Sequence, residues 1–177
     1  MLSDDANEAA KTRGTICPEG RISSPTIERD GHAVVDLACY VPHLLSAVNN
    51  ALSRGASQVY LDRFGIGIAE WRVMSMLAIE PRIQAARICD VIKIDKGAAS
   101  RALSQLDAKG LLGHEALATD PRKRSWWLND AGMEVHDTIL KIALGREARL
   151  IEGIAAEDLE AFLRAIRLMV RNVESIR

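Results

Sequence analysis

Apolar positions recur at three- and four-residue spacing along most of this chain, giving way to a short alternating stretch after position 110. Over residues 34–64, Val41, Leu44, Leu45, Val48, Leu52, Ala56 and Val59 follow the i, i+3, i+4, i+7 rhythm of a long amphipathic helix. Pro42 lies inside that pattern, and since proline has no amide donor the helix either starts near it or kinks there. Gly65-Ile66-Gly67 then breaks the chain. A second helix over 69–79 places Trp71, Met74 and Leu77 on overlapping faces, and Glu80-Pro81 closes it because a residue before proline is pushed out of helical space. A short helix over 85–91 and a turn through Lys93 and Ile94 follow. Asp95 then suits the N-cap of a helix over 96–108, where its carboxylate can accept from the orphan amides of the first turn. That helix turns Ala99, Ala102, Leu103 and Leu106 inward, and Gly110 suits a left-handed cap at its end. Strands over 111–117 and 125–128 flank a charged tip, Asp120-Pro121-Arg122-Lys123-Arg124. Asn129 is placed to cap a helix over 131–144. A last helix over 156–176 carries the stripe Leu159, Phe162, Leu163, Ile166, Met169, Val170, Val173 and Ile176.

These elements predict a mainly α fold with a small β-hairpin wing. A helix pair followed by a basic hairpin is the outline of a winged helix-turn-helix, which sets one helix in the major groove and a cationic loop against the phosphates. Residues 65–132 are read as this DNA-binding lobe. Residues 34–64 and 133–177 are read as a helical dimerisation region, because a terminal helix as apolar as the last one needs a partner. Residues 1–33 show no apolar period and are read as a flexible N-terminal arm, free to fold onto a partner subunit.

Composition agrees with a folded protein: 48% of the 177 residues are hydrophobic. The net charge of -1 excludes a general polyanion binder, but its distribution is uneven. Residues 82–128 hold nine cations against five carboxylates, a net of +4 that leaves -5 for the remainder. The positive charge is concentrated on the lobe that needs it. No apolar run approaches the ~20 residues that span a bilayer, and the N-terminus lacks the order of a signal peptide, so no membrane partner and a cytoplasmic location are expected. The three cysteines, Cys17, Cys39 and Cys89, are too few and too far apart for a disulfide framework, and no spacing suits a metal clamp. The chain has no nucleophile elbow and no phosphate-cradling glycine loop, and His114-Glu115 lacks the second histidine of a zinc-protease motif. Catalysis, cofactors and metals are therefore not expected.

Ala69-Glu70-Trp71-Arg72-Val73-Met74, Asp95-Lys96-Gly97-Ala98-Ala99-Ser100-Arg101-Ala102-Leu103, and Asp120-x-Arg122 followed by Leu128-Asn129-Asp130-Ala131-Gly132 together resemble the MarR family of bacterial transcriptional regulators. The resemblance runs from about Leu44 to the C-terminus. It implies an obligate homodimer that binds a palindromic double-stranded operator, usually as a repressor. It also implies release by a small effector, an aromatic acid or its coenzyme A thioester, bound between the dimerisation region and the lobe. Two departures stand out: Gly97 and Ala98 occupy positions that often carry Ser or Thr, and the N-terminal arm is longer than is common.

Ser100, Arg101 and Gln105 are the candidates for base edges, since arginine matches the two acceptors of guanine, glutamine the adenine edge, and serine either. Ala98 can touch a thymine methyl, and Lys96 at the helix start suits a phosphate. By its match to the family motif, Arg122 is expected to enter the minor groove, braced by Asp120, while Lys123 and Arg124 add sequence-independent affinity. Trp126 and Trp127 are adjacent on a strand and so face opposite sides. For the effector, His43, Ser46, Asn50, Trp71 and Arg72 could supply an aromatic wall, hydrogen-bond groups and a cation where the first, second and fifth helices meet. Two rival readings are a redox sensor acting through Cys39 and a winged-helix module that binds only protein.

Overall fold

The structure is a computed structural model and describes residues 20–118 and 120–176, with backbone alone at Pro121 and Arg122. Cys17 and most of the expected N-terminal arm lie outside the described residues. The chain divides into two compact units, residues 1–55 and 56–177.

In the first unit the sequence reading placed no element before position 34. The structure instead builds a hairpin of β1 (Thr26–Arg29) and β2 (His32–Val35), paired from Thr26 with Val35 to Arg29 with His32. Asp30 and Gly31 turn it, both at positive φ (53° and 75°), the geometry that two-residue hairpin loops require and that Asp-Gly favours. Helix α1 (Val41–Phe64) starts one residue before Pro42, which lies in its first turn. Proline is tolerated in a first turn, where its missing amide would have had no acceptor.

The second unit contains the rest of α1 and the lobe. Gly65, at φ 65°, ends α1 in a left-handed cap and donates to Leu61 O at 2.9 Å. Helix α2 (Ile68–Ile79) follows, with the Glu70 carboxylate accepting from the Gly67 amide in its first turn. Next come β3 (Ile83–Gln84), α3 (Ala85–Ile92) and α4 (Lys96–Ala108). The wing is β4 (Leu112–Leu117) with β5 (Asp120–Leu128), and the sheet order is β3-β5-β4, all antiparallel. Helices α5 (Asp130–Leu150) and α6 (Ala156–Ser175) complete the chain. The two-residue β3, the early start of β5 and the seven extra residues of α5 exceed what the sequence pattern predicted.

One core holds the lobe: Val73, Met74 and Leu77 of α2, Ile88 of α3, Leu103 and Leu106 of α4, Trp126 and Leu128 of β5, and Ile139 of α5 are all buried. Asn129 locks the wing to α5. Its side-chain oxygen accepts from Gly132 N at 2.9 Å, while its amide donates to Gly110 O at 2.8 Å. Gly132 is required there, because a Cβ would collide with the Leu111 carbonyl. The Leu-Asn-Asp-Ala-Gly stretch is thus a helix cap and a close backbone contact in one.

Candidate nucleic-acid interface

Helix α4 presents one polar face because its other face is fully used. Asp95 caps it, accepting from Ala98 N at 2.8 Å, and Ala99, Ala102, Leu103 and Leu106 are buried, as their spacing predicted. Lys96, Gly97, Ser100, Arg101, Ser104 and Gln105 are exposed, and Ala98 is half-buried. Ser100, Arg101, Ser104 and Gln105 are neighbours at three- and four-residue spacing, so the expected base readers stand on one strip.

The wing stands beside that strip. Ser100 and Ser104 of α4, Gln84 and Ala86 at the start of α3, and Lys123 and Arg124 of β5 surround a cleft of about 470 Å³ floored by Leu103 and Trp126. The Arg124 guanidinium lies 5.6 Å from the centre of the Trp126 ring, within cation–π range, so the indole helps fix where this charge stands. Two hydroxyls, an amide and two cations facing one concavity suit a phosphodiester, which accepts hydrogen bonds and carries negative charge. Ser104 and Gln84 were not among the residues singled out from sequence. Ser104 was readable from its place on the outer face of α4, whereas Gln84 arrives only through the pairing of β3 with β5.

The pairing register of the wing shifts between Ala116, opposite Arg124, and Leu117, opposite Asp120. The intervening residues of β5 form a bulge, which twists the tip out of the regular ladder. Asp120 was expected to brace Arg122. One contact of its carboxylate is with Lys123, whose Nζ lies 3.8 Å from Asp120 Oδ2, and the Arg122 side chain lies outside the described residues. At the wing base Trp127 lies flat over Gly113, where a Cβ would overlap the indole, and the Arg82 guanidinium covers the ring at 4.2 Å. Arg82 also pairs with Glu115 at 3.0 Å. Trp126 packs inward and is 9% exposed, so the two tryptophans take opposite faces as expected.

The MarR family model matches residues 64–123, a segment that runs from the end of α1 through both helices of the helix-turn-helix to the wing tip. Over that segment, about a third of its length, the chain is similar to the MarR family. Among curated relatives, the transcriptional regulator HosA of Escherichia coli O127:H6 is 25% identical over 101 residues, covering 57% of this chain and 75% of HosA. A MarR/EmrR family regulator from Acinetobacter sp. ADP1 superposes with a TM-score of 0.73 at 23% identity, covering 80% of this chain and 99% of that one. The S. aureus MepR–DNA complex (TM-score 0.66, 17% identity, 75% and 95% covered) shares the fold. So does PcaV of Streptomyces coelicolor, solved with its natural ligand (0.65, 21%, 79% and 98%). The winged helix-turn-helix expected from sequence is therefore the fold of this chain.

The effector candidates fall into two groups. His43, Ser46 and Asn50 are exposed along the first half of α1, with Asn50 Nδ2 donating to Ser46 Oγ at 3.4 Å. Trp71 and Arg72 are half-buried in α2. Trp71 belongs to an aromatic cluster that sequence reading missed: the His136 ring of α5 stacks on it at 5.4 Å, and the Tyr60 ring meets it edge-on at 5.8 Å. His136 is 8% exposed, and its Nδ1 lies 3.0 Å from Asp137 Oδ1. Burial pushes the Tyr60 phenol above its ordinary value, with the Arg146 charge pulling weakly the other way. Cys39 is half-buried ahead of α1, and its carbonyl accepts from Arg21 Nη2 at 2.7 Å. Among the described residues no cluster suits a metal ion, and no helix is long and apolar enough to cross a membrane.

Proposed function

We propose that this chain is a MarR-type regulator, a homodimeric repressor that binds a palindromic operator and leaves it when a small effector binds. The observation that carries the reading is the strip Ser100, Arg101, Ser104 and Gln105, which stands beside Lys123 and Arg124 across one polar cleft. The strip supplies base-edge donors and acceptors, and the wing supplies charge that holds the backbone in register. Lys96 joins the phosphate contacts at the helix start, and Arg122 carries the family's minor-groove role. Two such helices one turn apart, roughly 34 to 36 Å, would read successive major grooves.

The dimer is supported by the apolar stripe of α6, on which none of the described residues is buried: Phe162 is 53% exposed and Val170 55%. A lone chain gains little from such a face. The effector site is assigned to the aromatic group around Trp71, with Tyr60 and His136 as walls and Arg72 as a cation for a carboxylate. An aromatic acid or its coenzyme A thioester fits that chemistry. The effector acts only through its difference in affinity for the DNA-competent and DNA-free forms.

The test is a mobility-shift titration with DNA from upstream of the chain's own gene, repeated with aromatic acids, their coenzyme A thioesters and peroxide. Specific binding reversed by one of the acids or thioesters is expected. Reversal by peroxide alone would transfer the signal to Cys39, and absence of any specific complex at low salt would favour a module that binds only protein.

A further inference from the structure

Gly97 sits in the first turn of α4, where nothing about its own backbone calls for glycine: its φ is helical, and glycine is a weaker helix former than alanine. The space beside it is what is unusual. A Cβ built on Gly97 would lie 3.2 Å from Arg101 Nη1 and 3.1 Å from Asp95 Oδ1. Residues 97 and 101 are one turn apart on the same face, and a helical side chain leans back over the turn N-terminal to its own Cα. The Arg101 guanidinium therefore lies along bare backbone at the start of the helix. That end of the helix carries partial positive charge, which disfavours a cation, and the Asp95 carboxylate on the other flank of Gly97 offsets it.

We propose that Gly97 is a specificity-determining position: the missing side chain lets Arg101 lie back over the first turn of α4 and sets which base edge its guanidinium meets. The assignment rests on the operator-binding reading above. Gly97 is a positioning residue, acting through Arg101. A methyl there would sit closer than ordinary contact to both Arg101 Nη1 and Asp95 Oδ1, so the guanidinium would have to shift from its place over the first turn, and a larger side chain would displace it further. A guanidinium held in one orientation can offer the two parallel donors that guanine accepts, whereas a lifted one samples several.

The experiment selects bound sequences from a randomised DNA pool with the full chain and its Gly97→Ala, Gly97→Ser, Arg101→Ala and Gly97→Ala/Arg101→Ala variants, with a thermal melt of each. Gly97→Ala and Gly97→Ser are expected to melt no lower than the parent. They should lose or change preference, by roughly tenfold, at one base pair in each half-site. Arg101→Ala should lose preference at that same base pair, and the double variant should lose nothing further there. An unchanged preference in both Gly97 variants would overturn the proposal, as would a change at a base pair that Arg101→Ala leaves alone. A parent chain that selects no sequence would overturn the operator-binding reading, and this assignment with it.

Discussion

Lys109 Nζ donates to Glu70 Oε1 at 2.9 Å, joining the residue that follows α4 to the first turn of α2. Glu70 is 6% exposed and its other oxygen accepts from the Gly67 amide, so a single carboxylate fastens two helix ends. The position of α4 relative to the lobe core depends on that carboxylate keeping both partners.

Lys109→Met should cost about 2 kcal/mol, because it removes the cation and leaves a buried carboxylate with one hydrogen bond fewer. Glu70→Gln should cost less, since an amide oxygen still accepts from Gly67 and the ammonium left without its counter-charge, on the 35% exposed Lys109 side chain, keeps access to water. Urea denaturation of both single variants and the double variant measures the coupling directly. Additive single effects would show that the pair does not act as a unit.

A second dependence on charge follows from Tyr60, which is buried against Trp71 and whose phenol is pushed above its ordinary value of 10.0 mainly by desolvation. In the unfolded chain the phenol ionises near 10, while in the folded chain it still holds its proton. The folded state therefore binds more protons in that range, and stability falls as pH rises above 10. Tyr60→Phe should flatten this fall without changing the pH dependence between 6 and 8. Denaturation midpoints across pH 8 to 11 give the comparison, and equal slopes in parent and variant would remove Tyr60 as the cause.

Local features of the lobe were legible in the sequence, and contacts between distant segments were not. Asp95 and Asn129 cap helices because a short polar side chain before an apolar rhythm has few other uses, and the buried face of α4 follows from spacing alone. The hairpin over 26–35 was signalled by Asp30-Gly31 between β-branched residues, but it was absorbed into an arm defined by its lack of helical period. Strand β3 has two residues and exists only because Ile83 and Gln84 pair with Trp126 and Ser125. The stacking of Trp71 on His136 and the cover of Gly113 by Trp127 depend on how separate segments meet, and no window of sequence contains both members with a reason to pair them.

The wing offers a quantitative test of its electrostatic role. Lys123 and Arg124 line the same cleft, Lys123 with Asp120 at 3.8 Å and Arg124 5.6 Å from the centre of the Trp126 ring. Lys123→Ala should weaken binding to operator and random DNA alike and reduce the slope of log affinity against log salt by about 1. Arg122→Ala should cost about 1 to 3 kcal/mol on the operator while leaving the dimer intact. Salt titrations on both DNA types separate the two. Equal losses for Arg122→Ala on operator and random DNA would assign it to the phosphates rather than to the groove.

The last prediction tests the proposed dimer. Phe162 and Val170 lie two turns apart on α6, both more than half exposed, and neither is part of the buried lobe core. Replacing either by Asp removes apolar area and sets a charge where a partner would exclude water, which an interface tolerates poorly. Phe162→Asp and Val170→Asp should each give a folded monomer by sedimentation. Operator affinity should fall by several orders of magnitude, because each half-site then binds alone and the second contact is no longer intramolecular. Leu163→Asp, on the half-buried side of the same helix, should do the same with some loss of monomer stability. A dimer that survives all three substitutions would remove α6 from the interface and direct attention to the exposed Leu44, Leu45 and Val48 of α1.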